Sequence, residues 1–166
     1  MMTVDNTAKF NDLLNNFDIA MVVTTSLSGE LRSHPMVIVE HKDDGGVLFV
    51  TREDSAIIME VLHKPQVNVT IQSTNKFLSL SGTATISHDR ECIKENWKPT
   101  WKAWFPDGQD DPTILLIRVA VHQGEYWDNA GFNTVQFYVE AGQAMLTGEP
   151  VPNENEFLHG KDILMH

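Results

Sequence analysis

At 166 residues, 42% apolar and 21% charged, with four Trp and eight Phe, the chain has material for one packed domain rather than two or a disordered segment. A formal net charge of −11 sets it against nucleic acid and against an anionic membrane surface, both of which are bound through Lys and Arg. There is no positively charged start followed by an apolar run, no stretch near the roughly 20 apolar residues of a membrane span, and one cysteine, Cys92; a cytoplasmic, reducing setting is expected.

Phe10, Leu13, Leu14 and Phe17 recur at helical spacing, which predicts an opening amphipathic helix. Ile19 to Thr25 is apolar and β-branched, Ser26-Leu27-Ser28-Gly29-Glu30 carries turn chemistry, and Leu31 to His41 follows as the second strand of a hairpin. After the reversal at Asp43-Asp44-Gly45-Gly46, Val47 to Thr51 reads as a short strand. Asp54 or Ser55 then caps a helix carrying Ile57, Ile58, Val61 and Leu62, closed by Pro65. Val67 to Gln72 and Phe77 to Ser87 alternate as strands, and Gly82 within the second marks a bulge or a barrel corner. A helical segment starts at Asp89, and Trp97, Trp101 and Trp104 follow at spacings of four and three that suit one aromatic face pressed onto a barrel. Thr113 to Val121 is a strand running on to Trp127; Val135 to Leu146 has helical spacing, and residues 148–166 form a Pro-, Asn- and Glu-rich tail expected to be loose. Six strands with irregularly spaced helices predict a mainly β (α+β) domain over 1–147, an antiparallel barrel with peripheral helices rather than a doubly wound sheet.

Several chemistries lack their residues. No Gly-rich phosphate loop, Walker sequence or Gly-x-Ser-x-Gly elbow occurs, and the seven histidines are scattered with no pair at metal-ligand spacing on a helix. Asp107, Asp110 and Asp111 around Gly108 lack the alternating spacing and distal Glu of a calcium loop and read as a solvated turn. More informative is Phe49-Val50-Thr51-Arg52-Glu53-Asp54-Ser55, a strand ending in polar residues at a helix start. Such a junction offers hydroxyls, free amides and a positive dipole end to a phosphate, although by itself it reads first as an ordinary N-cap.

Six pieces in order carry a family resemblance: Arg32-Ser33-His34-Pro35-Met36-Val37; Leu48-Phe49-Val50-Thr51 with Ser55; Lys64-Pro65-Gln66-Val67-Asn68-Val69; Ser79-Leu80-Ser81-Gly82-Thr83-Ala84; Trp101 to Gly108 with Asp110-Asp111-Pro112; and Gly124-Glu125-Tyr126-Trp127-Asp128. The chain resembles the pyridoxamine 5'-phosphate oxidase-like family of flavin-binding split β-barrels, in particular its general stress protein branch.

The resemblance implies FMN, or FAD or another flavin, at a homodimer interface. By it, Arg32, Ser33, His34, Pro35, Met36 and Val37 would follow the ring and ribityl chain, Val50, Thr51 and Ser55 would approach the ribityl and phosphate, and Trp127 would come from the partner. Arg32 is the expected phosphate cation. Where the family usually has a basic residue two positions after the serine this chain has Ile57, and Arg52 is the candidate substitute. Asn133-Thr134-Val135-Gln136 stands where the true oxidases hold pyridoxamine phosphate, so that reaction is not expected. The resemblance thus implies a flavin-dependent oxidoreductase or flavin-holding protein for a small molecule; the alternative is a dimeric interaction module that has lost firm flavin binding.

Overall fold

A computed structural model describes residues 14–41, 46–73, 76–128 and 159–163. The predicted strands form as β1 (Ile19–Thr25), β2 (Leu31–His41), β3 (Val47–Arg52), β4 (Gln66–Gln72), β5 (Lys76–Ser87) and β6 (Ile114–Asp128). They pair antiparallel in the order β3-β2-β1-β4-β5-β6, and β3 pairs with β6 as well, so the six strands close into a barrel. Helices α1 (Ala56–His63) and α2 (Arg90–Glu95) flank it. The fold is therefore the mainly β, six-stranded antiparallel barrel that alternation predicts. No helix among the described residues is long and apolar enough to cross a membrane.

Period-two burial drives most of this arrangement. On β1, Ala20, Val22 and Thr24 point inward while Ile19 and Met21 face out. β3 departs from it, with Val47, Leu48, Phe49 and Val50 all buried. Val47 and Phe49 join the barrel interior, whereas Leu48 and Val50 pack on the other side against Ile93, Trp101, Phe105, Ile114 and Leu116. An aromatic cap thus covers the outside of β3 and the start of β6.

The cap is not the continuous helix that the tryptophan spacing suggests. Pro99 cannot extend a helix and drives the residue before it out of helical space, and Lys98 is extended at φ −111° and ψ 132°. α2 therefore stops at Glu95, and a 3-10 turn over Pro99–Ala103 follows. Trp101 sinks to 1% exposure and meets Trp97 edge-on at a centroid distance of 5.6 Å, while Trp104 lies past the turn, 52% exposed.

Gly82 sits at a register slip: Ser81 pairs with Gln123 but Gly82 with Val121, leaving His122 as the extra residue of a bulge on β6. Past this point β6 takes a new neighbour, β7 (His159–Ile163), through pairs from Gln123↔Ile163 to Trp127↔His159. That strand lies in the tail, where composition predicts none. Of the expected N-terminal helix, Leu14 is buried in the barrel core and Phe17 packs against it, while Phe10 and Leu13 lie outside the described residues. The helix expected between Val135 and Leu146 also lies outside them.

Candidate functional site

β2 and β3 run antiparallel with Val37 opposite Val50, which sets residues 34–37 beside the end of β3. The aromatic cap brings Trp104 and Phe105 to the same place. Between them lies a cleft of about 630 Å³, within the range of about 300–1,000 Å³ usual for small-molecule sites. β2 contributes His34, Pro35, Met36 and Val37, β3 contributes Val50, Thr51 and Arg52, the junction into α1 gives Asp54 and Ser55, and Ile19 borders it from β1. The walls are apolar and aromatic; one end is polar.

At the polar end Ser55 occupies the N-cap position of α1 without a side-chain capping bond, so its hydroxyl is not spent on the helix. First-turn amides of a helix carry partial positive charge, and here the Ile58 amide already donates to the Ser55 carbonyl at 3.0 Å, which leaves those of Ala56 and Ile57. The Arg52 Nε donates to Asp54 Oδ1 at 3.1 Å and its Nη1 to the Trp104 carbonyl at 3.4 Å, which ties the strand end to the aromatic cap. Behind this junction the Glu53 amide donates to the Thr113 carbonyl at 2.9 Å. The Thr113 hydroxyl and amide both donate to Asp111 Oδ1, at 2.7 and 2.9 Å, and hold that carboxyl below its ordinary range.

Glu60 is the charged residue that the sequence reading missed. It lies on the inward stripe of α1 beside Ile57 and Val61, 3% exposed, while Leu62, expected on that stripe, is 66% exposed. Its Oε2 accepts from Thr24 Oγ1 at 2.6 Å and pairs with His34 Nε2 at 2.6 Å, and Oε1 accepts from Arg32 Nη1 at 3.0 Å. An ionised carboxylate only accepts, so His34 Nε2 carries a proton toward it. Burial opposes ionisation of Glu60, but the bonds from Thr24 and His34 and the charges of His34 and Arg32 together outweigh it and leave the carboxyl below its ordinary value of 4.5. A group depressed in the folded state contributes stability that is present above its unfolded value and lost as pH falls through the folded one. The melting temperature is therefore expected to drop as pH falls below about 4.5, and Glu60→Gln is expected to flatten that part of the profile, read by thermal denaturation at stepped pH. A wild-type-like slope in the variant would contradict the assignment.

Of the site residues expected from the sequence, His34, Pro35, Met36, Val37, Val50, Thr51, Arg52 and Ser55 all line this one cleft. Arg32 does not line it; it is paired with Glu60 next to His34. Ser33 is exposed on the other face of β2, opposite Val23, and Trp127 lies far along β6, between Phe77 and His159. Ile57 is fully buried in the barrel core. Ile19, Asp54, Trp104 and Phe105 enter the lining only through the tertiary fold.

The family model described as "Pyridoxamine 5'-phosphate oxidase like" matches residues 5–152. The chain belongs to the pyridoxamine 5'-phosphate oxidase-like family. Among members and neighbours, protein bli-3 of Neurospora crassa is 29% identical over 158 residues, 86% of this chain and 75% of the relative. The general stress FMN/FAD binding protein of Xanthomonas citri is similar at 25% identity and a TM-score of 0.66, over 76% of this chain and 91% of that one. A Clostridium acetobutylicum protein related to general stress protein 26 superposes at a TM-score of 0.68 with 21% identity, covering 76% of this chain and 91% of its own, which speaks to the split-barrel fold alone.

Proposed function

We propose that the protein binds a flavin, FMN in the first instance, in the cleft between β2, β3 and the aromatic cap, and works as a dimeric flavin-dependent oxidoreductase or flavin-holding protein of the general stress type. The observation that carries this reading is the convergence of residues 34–37, Val50, Thr51 and Ser55 on one cleft with apolar walls and a polar end. That donor set fits a flat ring with a polar tail: Met36, Val37, Val50 and Trp104 are positioned to enclose the ring, and Thr51, Ser55 and the first-turn amides of α1 to meet the tail. The FMN/FAD binding named for the Xanthomonas citri protein supports the same ligand class. A bound flavin supplies redox chemistry, and the protein's part is to position it and exclude water.

Ile19 at 56%, Met21 at 38% and Trp104 at 52% exposure leave apolar surface at and beside the cleft, which favours a second copy closing over it. Trp127 would then serve the partner's cleft. The setting inferred is cytoplasmic, and pyridoxamine phosphate is not the inferred substrate.

An absorption spectrum of the fresh protein and an FMN titration followed by fluorescence test the reading. Micromolar binding is expected, weakened about tenfold in Trp104→Ala by the loss of an aromatic contact worth about 1.4 kcal/mol. Absence of binding at high FMN concentration would leave the interaction-module alternative standing.

A further inference from the structure

We propose that Glu60 makes the cleft indifferent to a flavin's phosphate, so that riboflavin and FMN bind about equally well. The inference rests on the flavin reading above and concerns which flavin the site selects.

Strand alternation puts Arg32 and His34 on one face of β2, and His34 lines the cleft. Arg32 stands two residues along the same strand face, outside the lining, and is the cation that the family resemblance assigns to the phosphate. Arg32 and His34 are both committed to Glu60, at 3.0 and 2.6 Å. The carboxylate is 4% exposed and is braced by Thr24, itself 1% exposed, so it is an internal anion with every partner already in place. A second anion at His34 or Arg32 would have to share those partners with Glu60, and Arg32, whose side chain is 54% exposed, would offer it a charge already balanced by the carboxylate.

Arg52, the arginine that lines the described cleft, does not make up the difference. Arg52 is bound to Asp54 at 3.1 Å, and Asp54 lines the cleft, bringing a negative charge of its own. The first turn of α1 is Ala56-Ile57-Ile58-Met59, with no cationic side chain, and Ile57 points into the core. Arg32 and Arg52 are thus each matched by a carboxylate, Glu60 and Asp54. Among the described residues of this chain, the donors left at the polar end for a dianionic phosphate are neutral ones, the Thr51 and Ser55 hydroxyls and backbone amides, beside an Arg52 already paired with Asp54. The isoalloxazine ring and ribityl chain are uncharged, and the apolar walls and hydroxyls serve them without any cation.

The test is a fluorescence titration of the full-length protein with riboflavin and with FMN, near neutral pH and at two salt concentrations. We expect the two dissociation constants to agree within about threefold and FMN binding to be insensitive to salt. Glu60→Gln, which keeps the side-chain shape and removes the charge, is expected to tighten FMN about tenfold relative to riboflavin. Wild-type protein binding FMN more than about thirty times tighter than riboflavin would overturn the inference, even should the variant fail to fold. An unchanged ratio in folded Glu60→Gln would overturn the role of Glu60. Binding of neither flavin would instead remove the flavin reading itself, and this inference with it.

Discussion

Trp101→Ala is expected to cost about 3–5 kcal/mol and to weaken ligand binding in whatever fraction stays folded. Trp101 is the largest fully buried side chain described, and it sits at the centre of the cluster that covers β3. Its backbone also holds the turn: the Trp104 and Phe105 amides both donate to the Trp101 carbonyl at 2.9 Å. Removing the indole leaves a cavity in the cluster that also holds Ile93, Val50 and Leu116 and loosens the segment that presents Trp104 to the cleft. Urea unfolding gives the stability term and flavin titration below the transition gives the second. A loss under about 1.5 kcal/mol would mean that the cap is not anchored by this residue.

Gly82→Val is expected to be comparably severe, at about 3 kcal/mol, with Gly82→Ala intermediate. A Cβ added at Gly82 would press on the Ala120 carbonyl oxygen and lie 2.9 Å from Val119 Cγ1. The first of these is backbone within the β5–β6 ladder and cannot swing aside as a flexible side-chain tip could. Relief would require separating the strands at the slip that lets β6 leave β3 and reach β7. Calorimetry on the two variants orders the effects; an alanine variant as stable as wild type would show that the ladder has slack.

β1 to β6 were legible as alternating stretches or short apolar runs punctuated by Gly, Pro or Asx, while β7 was not, and Gly82 announced its bulge because glycine in mid-strand marks a bulge or a close backbone approach. The β2 and β3 contributions to the cleft were legible as family motifs, since local order along the chain is kept in the barrel. Trp104 was not. Its spacing from Trp101 suits a helical face, but Pro99 ends the helix, and only the resulting turn separates a buried indole from an exposed one. Glu60 was hidden for a different reason. Its partners lie 26, 28 and 36 residues away, and nothing along the sequence distinguishes a buried glutamate from a solvated one until α1 is laid beside β1 and β2.

β3 is six residues long, paired on both edges and covered on both faces, and its end is the floor of the cleft. Here Val50 serves the aromatic cluster and the cleft at once, and Phe49 beside it fills the barrel. Exchanges that alter the cleft with least effect on the core are therefore expected at Asp54, Ser55 and Trp104, since His34 is held at 2.6 Å by the buried Glu60.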